Sequence, residues 1–383
     1  MKKFKQKRNK ISDRVNNINY SAIRKVFNAG RESNIIDLTI GQPDFDTPKY
    51  LKDSAKYYID AGYNKYTETK GVLDLRKAIS KKLKANKIIR SEDEIIITAG
   101  ATSAIFMTLF SLINRGDEII IFSPYFVAYA EIIKFIGGKV IVVKTDEDFQ
   151  PNIELLKKSI TKKTKAIIVN SPNNPTGTVY SKFIISEITR VAKERNIYII
   201  SDEIYSSFVY GESKFFSPAQ IYSNTIIIDG LSKSKAVTGW RVGYVAGPRE
   251  IIDALEKVQQ FTSVCAPSAF QYASIKTINT SIEKSTITEY KKRRDLIYAS
   301  LENVSSSVIP GGAFYFFLKI PVSSEIFAKR LLKKGVAVVP GAVFGKDFND
   351  YIRISYAISE KKIKKAILII KEEFANYFRL GRY

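Results

Sequence analysis

Between Glu94 and Gly247 the chain repeats one pattern, a short run of Ile, Val and other apolar residues followed by a longer stretch of helical spacing. The runs fall at Glu94–Thr98, Glu118–Phe122, Lys139–Val143, Ala166–Asn170, Ile197–Ser201, Thr225–Asp229 and Val242–Ala246. Several are apolar almost throughout, with no alternating polar face. A strand of that composition has to be covered on both sides, as in a largely parallel sheet with a helical layer on each face. The intervening segments agree. In residues 181–195 apolar positions recur at helical spacing behind Ser181, a residue type that caps helix N-termini. The predicted fold class is α/β, with a mainly parallel sheet of about seven strands.

After Pro248 the pattern changes. A long helical stretch is predicted from Pro248 to Val304, then strands at Phe314–Ile320, Val336–Val339 and Tyr351–Ser355, then a helix from Glu360. This is an α+β arrangement, and a chain of 383 residues exceeds what a single small core serves. The expected organisation is a large domain over residues 48–280 and a small C-terminal domain over 281–383. Residues 1–47 form an N-terminal arm and part of the small domain. The boundary is expected inside a continuous helix near residues 270–285.

Absences narrow the chemistry. With no histidine and one cysteine, Cys265, the chain cannot build His-based triads, His-ligated metals, cysteine zinc clusters or disulfides. No metal is expected, acid–base work falls to Lys, Asp, Glu or Tyr, and Cys265 reads as a small packed residue. The formal charge of +23 comes from 61 basic against 38 acidic residues. The basic residues are spread along the chain, which suits a general surface bias that attracts anions without specificity; no specific nucleic-acid partner is expected. The basic tract Met1–Lys10 has no apolar run behind it and reads as a frayed terminus. No uncharged apolar stretch approaches the length that crosses a bilayer, so no membrane association and a cytoplasmic location are expected.

Sites in open α/β sheets lie beyond the carboxyl ends of the strands, and the polar clusters of this chain stand there. Thr98-Ala-Gly-Ala-Thr102, Asn170-Ser-Pro-Asn-Asn-Pro-Thr-Gly177, Ser201-Asp-Glu-Ile-Tyr205 and Gly230-Leu-Ser-Lys233 each follow an apolar run directly. The first is either a tight strand–helix turn or one whose free amides take a phosphate. Asp202 either caps the following turn or meets a cation that offsets its burial, such as a protonated ring nitrogen. Tyr205, three residues on, is either a core tyrosine or a hydroxyl for the same ligand. Lys233 lies in a small-residue turn with Arg241 eight residues later. A lysine partly desolvated beside a cation releases its proton more readily and becomes an amine nucleophile. A lone lysine among so many would otherwise be a solvated surface charge.

The segment Gly230-Leu-Ser-Lys-Ser-Lys-Ala-Val-Thr-Gly-Trp-Arg-Val-Gly243 resembles the pyridoxal-phosphate attachment pattern of class I aminotransferases at every constrained position. Further matches follow in family order. They are Gly41-Gln-Pro-Asp-Phe-Asp-Thr-Pro48, Tyr66-Thr67, Asn174-Pro-Thr-Gly177, Ser201-Asp-Glu-Ile-Tyr205, Gly312-Ala-Phe-Tyr315, Val339-Pro-Gly341 and Arg353-Ile-Ser-Tyr-Ala357. The resemblance implies fold type I and pyridoxal 5'-phosphate as cofactor. The amino group of an L-amino acid would pass to a 2-oxo acid by a ping-pong mechanism. It makes Lys233 the residue that holds the cofactor as a Schiff base and later moves the substrate proton. Asp202 would pair with the pyridinium nitrogen, while Asn174 and Tyr205 would bond the ring hydroxylate and Phe126 would stack on the ring. Gly100 and the amides of Ala101 and Thr102, with Ser232 and Arg241, would hold the phosphate. Tyr66 would reach that phosphate from the neighbouring subunit of a homodimer. Arg353 would bind the substrate carboxylate as a fork, assisted by the Gly41 amide and Asn174.

Lys233 rather than Lys235 is the predicted anchor, because only Lys233 has the family spacing to Arg241. Lys235 stands where relatives often carry Phe, Tyr or His; a second cation there either lowers the pKa of the Schiff base further or points to solvent. Ile23-Arg-Lys-Val-Phe27, Leu38-Thr-Ile-Gly-Gln-Pro43 and Gly230-Leu-Ser-Lys-Ser234 are most similar to the prokaryotic aspartate, aromatic and N-acetyl-diaminopimelate aminotransferase branch. One aspartate-specific group carries Lys where this chain has Thr102, and its absence counts against a committed aspartate enzyme unless Lys70 or a basic residue near Asn19-Tyr20 meets the distal carboxylate. Tyr20, Tyr63, Phe126 and Tyr129 keep aromatic substrates open. A β-lyase of the same fold is the alternative activity. A DNA-binding regulator with this domain would need an additional N-terminal domain, for which residues 1–35 are too few.

Overall fold

A computed structural model describes residues 11–16, 18, 20 and 34–380. The tract Met1–Lys10, the segment Ile23–Phe27 and Asn19 lie outside the described residues. Strands are β1 Ile36–Asp37, β2 Ile95–Thr98, β3 Glu118–Ser123, β4 Lys139–Lys144, β5 Thr164–Asn170 and β6 Tyr198–Asp202. They continue with β7 Thr225–Gly230, β8 Gly243–Ala246, β9 Tyr315–Lys319, β10 Val336–Ala337, β11 Val339–Pro340 and β12 Tyr351–Ser355. Besides a single turn at Asp13–Asn16, the helices of the first part are α1 Lys49–Asp60, α2 Leu73–Ala85, α3 Ala101–Leu112, α4 Ala128–Phe135, α5 Ile153–Ser159 and α6 Lys182–Glu194. Those of the second are α7 Arg249–Gln260, α8 Ser268–Ser274, α9 Lys284–Leu301, α10 Ser324–Lys333 and α11 Glu360–Leu380.

The predicted runs form a seven-stranded sheet in the order β2-β8-β7-β6-β5-β3-β4. All of its pairs are parallel except those of β8, which is antiparallel to both β2 and β7. The reason for the all-apolar runs is visible in the core. Ile119 and Ile121 pack on one face of the sheet and Ile120 on the other, and likewise Ile226 and Ile228 against Ile227. Each face is covered, and each such Ile removed from water contributes roughly 1.5–3 kcal/mol. Ser181 caps α6 by accepting a hydrogen bond from the Ile184 amide, as its position in the sequence predicts.

Beyond β8 the predicted long helix is three helices, α7, α8 and α9. The first break carries Val264 in the left-handed region and Pro267 at the entry to α8. The second lies at 275–283, where three-residue turns, Ile275 to Tyr272, Thr277 to Ser274 and Thr280 to Thr277, replace the helical ladder. No helix continues through 270–285. The predicted strand Val336–Val339 is also two: β10 pairs in parallel with β1, and β11 pairs with β12. Strands β11, β12 and β9 form an antiparallel sheet in that order. Its core takes in Leu38 from the N-terminal segment and Tyr205 and Phe208 from the turn after β6. That shared core seats the second sheet over the carboxyl rim of the first.

Candidate active site

Because β8 runs against its neighbours, its first residue stands at the rim where β2 and β7 end. Gly243 pairs with Thr98 on one side and with Gly230 on the other. Arg241, just before it, is thereby delivered to the start of α3. Gly100 caps that helix with φ +84, and a Cβ there would collide with the Arg241 guanidinium. The bare α-carbon lets the guanidinium lie against the turn, where it donates to the carbonyls of Thr238 and Ala99 at 2.9 and 3.4 Å. The amides of Ala101 and Thr102 belong to the first turn, whose N–H groups have no intrahelical acceptor. Guanidinium, free amides and the Ser232 side chain form a donor set suited to a phosphate.

A cavity of about 200 Å³ opens at this rim. Its walls include Ala101, Thr102, Ser232 and Arg241 at the phosphate end, and Phe126, Asn174, Asp202 and Tyr205 deeper in. Lys233, Gly41 and Arg353 complete the set. Gly100 stands directly behind Ala101. Tyr66 is 83% exposed and does not line the cavity of its own chain.

Asp202 ends β6 beside Asn170, its register partner on β5. The Asn170 amide donates to the Asp202 backbone carbonyl at 3.2 Å, and its side-chain oxygen accepts from the Asn174 amide at 3.0 Å. The Asp202 carboxylate accepts from the Tyr129 hydroxyl at 2.5 Å and from the Ile204 amide at 3.3 Å. Burial pushes its pKa up to about 6 against those two donors, with Asp229 adding to the rise. A buried carboxylate held this way, facing a cavity, is complementary to a protonated ring nitrogen.

The Lys233 amine donates to the Gly41 carbonyl and lies 5.9 Å from the centre of the Tyr205 ring. Burial, then the charges of Arg241 and Arg353, bring it down to about 8 despite Asp202. About a tenth is therefore the free amine at pH 7, against far less for an ordinary lysine. Arg353 is 1% exposed. It donates to Asn174 Oδ1 at 3.0 Å and to the Thr39 carbonyl at 2.7 Å, and its guanidinium lies 4.5 Å from the Tyr315 ring centre and 5.2 Å from that of Phe344. Its Nε is buried without a partner. A buried guanidinium with a donor to spare at a cavity wall is arranged for a carboxylate.

Three residues of the site are not among those predicted: Tyr129 as the donor to Asp202, Asn170 as the brace under Asn174, and Tyr315. The Tyr315 hydroxyl shares a hydrogen bond of 2.8 Å with that of Tyr205. All three fall inside segments the sequence marks out, but Tyr129, Asn170 and Tyr315 meet Asp202, Asp202 and Tyr205 across 73, 32 and 110 residues. Lys70 is not at the cavity; it is paired with Asp253 at 2.8 Å and Glu256 at 3.4 Å. Lys235 neither points to solvent nor lines this cavity; it is 2% exposed in a second cavity.

A family model described as aminotransferase class I and II matches residues 33–370. The "Probable aspartate aminotransferase" of Methanocaldococcus jannaschii is 42% identical over 378 residues, 95% of this chain and all of that protein. The "Aromatic-amino-acid aminotransferase 2" of Thermococcus litoralis is 37% identical over 93% of this chain and 96% of its own length. The solved structure of Thermus thermophilus aspartate aminotransferase with maleate superposes with a TM-score of 0.90 at 35% identity, over 95% of this chain and 100% of that one.

Proposed function

The chain belongs to the class I and II aminotransferases, which are pyridoxal-phosphate-dependent enzymes, and from that premise we propose the part each residue plays. When bound, the cofactor supplies a ring that accepts the electron pair left at the substrate α-carbon. Lys233 is the attachment point, and its lowered pKa leaves a free amine able to take up and return the α-proton. Asp202 holds the ring nitrogen protonated, while Asn174 and Tyr205 bond the ring hydroxyl and Phe126 covers the ring face. Gly100, Ala101, Thr102, Ser232 and Arg241 hold the phosphate. Arg353, clamped between Tyr315 and Phe344 and set by Asn174 and Thr39, orients the substrate carboxylate, with Gly41 beside it. A fork kept in one orientation before substrate arrives lowers the entropic cost of alignment.

The observation that carries the reading is the Lys233 amine, placed between Asp202, Arg241 and Arg353 in one cavity. Borohydride reduction of the cofactor-loaded protein followed by peptide mass spectrometry tests it. A pyridoxyl group on Lys233 is expected; one on Lys235 with Lys233 unmodified overturns the assignment.

The functional unit is a homodimer in which Tyr66 reaches the partner's phosphate, and the enzyme works in the cytoplasm. The large domain spans 48–280 and the small domain 281–383, with the N-terminal segment joined to the latter, which the β1–β10 pairing supports. Aspartate is the first candidate donor, following the name of the Methanocaldococcus jannaschii relative, although Thr102 stands at the cavity where an aspartate-specific group has Lys and Lys70 is paired elsewhere. The apolar wall of Ile105, Phe126 and Tyr315 favours aromatic side chains as a second reading. Mixing the loaded enzyme with single amino acids and following loss of the cofactor's visible band ranks the two. Release of pyruvate and ammonia without any 2-oxo acid acceptor would instead indicate β-elimination.

A further inference from the structure

Lys235 lies on the same turn as Lys233 but enters a different cavity, of about 390 Å³, between α2, the ends of β6 and β7, and the 278–282 segment. The residue is 2% exposed, and its ammonium forms no ion pair among the described residues and makes one hydrogen bond, to the Ser281 carbonyl at 3.0 Å. The other charged groups lining the cavity are already hydrogen-bonded. Lys82 donates to Asp229 Oδ2 at 2.9 Å, and the Tyr244 hydroxyl donates to the same oxygen at 2.9 Å. Glu203 Oε1 accepts from the hydroxyls of Ser201 and Ser217 at 2.9 and 2.5 Å. Glu283 bears on Lys235 only at longer range, without a contact. One buried cation with two donors uncommitted is left facing a roomy polar cavity whose walls also carry the Ser206 and Ser207 side chains. A buried charge of this kind calls for a partner of opposite sign.

We infer that this cavity is a second ligand site, separate from the substrate cavity, that binds a small oxyanion, a carboxylate or a phosphate, through the Lys235 ammonium. Calorimetric titration with inorganic phosphate and, separately, acetate tests it. The cofactor-loaded Arg353→Met protein is used, so that the cofactor occupies the phosphate cradle and the substrate fork is gone. Saturable binding at one site per chain is expected for at least one anion, and the anion that binds identifies the source. Adding Lys235→Met should weaken it at least tenfold, and Lys235→Arg should retain it. Burial and the nearby Lys82 lower Lys235 to about 8. Acetate affinity in the parent protein should accordingly fall roughly tenfold between pH 8 and pH 9.5. Over that interval Glu203, at about 7, is already mostly ionised, and burial holds the Tyr244 hydroxyl well above its usual range. The pH series needs no change at Lys235, so it stands even where Lys235→Met does not fold. No saturable heat with either anion, heats indifferent to Lys235, or an acetate affinity flat to pH 9.5 overturns the inference.

Discussion

Asp202 is 4% exposed, and its charge depends on what surrounds it. The closest donor is the Tyr129 hydroxyl, which works against the upward pull of burial on the carboxyl pKa. Tyr129→Phe keeps the ring and removes the donor. A hydrogen bond to a buried charged group is worth about 1.5–3 kcal/mol, so the Asp202 pKa should rise by about one to two units. The acid limb of kcat/KM should move to higher pH and cofactor affinity should fall about tenfold or more. An acid limb that stays put in Tyr129→Phe would reduce the tyrosine to packing. The sequence shows the carboxylate because a polar residue ends an apolar run. It does not show the donor, since pairing across 73 residues leaves no local pattern. The same holds for Tyr315, whose ring orients Arg353 and whose hydroxyl meets Tyr205.

At the scale of the element, strand ends do two jobs at once. The last residues of β6 alternate, so Asp202 faces the substrate cavity while the next residue, Glu203, faces the Lys235 cavity. Burial raises Glu203 from 4.5 to about 7 against the Ser217 and Ser201 hydrogen bonds. A raised carboxyl pKa means that the folded state holds the proton more tightly than the unfolded one. Its stabilising effect is present at low pH and is lost as pH rises from about 4.5 to about 7. Urea melts at pH 5 and pH 8 should show the wild type losing on the order of 2–3 kcal/mol relative to Glu203→Gln. Equal differences at the two pH values would contradict this. The β2–α3 turn offers a second test. Gly100→Ala places a side chain at φ +84 against Arg241, a conformation that disfavours L-residues by about 1–2 kcal/mol. A lower melting temperature and at least tenfold weaker cofactor binding are expected, and an unchanged cofactor Kd would remove Gly100 from the phosphate cradle.

The strands of the large sheet were legible within two residues because burial on both faces leaves an unmistakable apolar run. The helical region after Pro248 was not, because apolar spacing persists through its breaks. Val264 takes a left-handed backbone that β-branched residues rarely adopt, and no local residue type announces it. Lys235 was illegible for a different reason: two positions along a turn were enough to send it into another cavity.

Seen as a whole molecule, the chain exposes aromatic side chains around the break between α7 and α8. Tyr66 is 83% exposed and Phe261 90%. The Tyr66 loop is nevertheless braced. The Ser268 hydroxyl donates to the Lys65 carbonyl, the Gln271 amide donates to the Thr67 hydroxyl at 3.1 Å, and the ring centres of Tyr63 and Tyr272 lie 4.5 Å apart. A braced loop with an exposed aromatic tip has little ordering entropy left to lose on association, which favours a partner there. With a second copy as that partner, two variants separate the contributions. Phe261→Asp should place a charge in the interface and convert the dimer to monomer in sedimentation velocity, with cofactor affinity falling as the second chain departs. Tyr66→Phe should keep the dimer and weaken cofactor binding about tenfold, the effect of one hydrogen bond to a charged group. If Tyr66→Phe holds the cofactor as tightly as the wild type while both proteins sediment as dimers, the phosphate cradle is complete within one chain and the dimer serves another purpose.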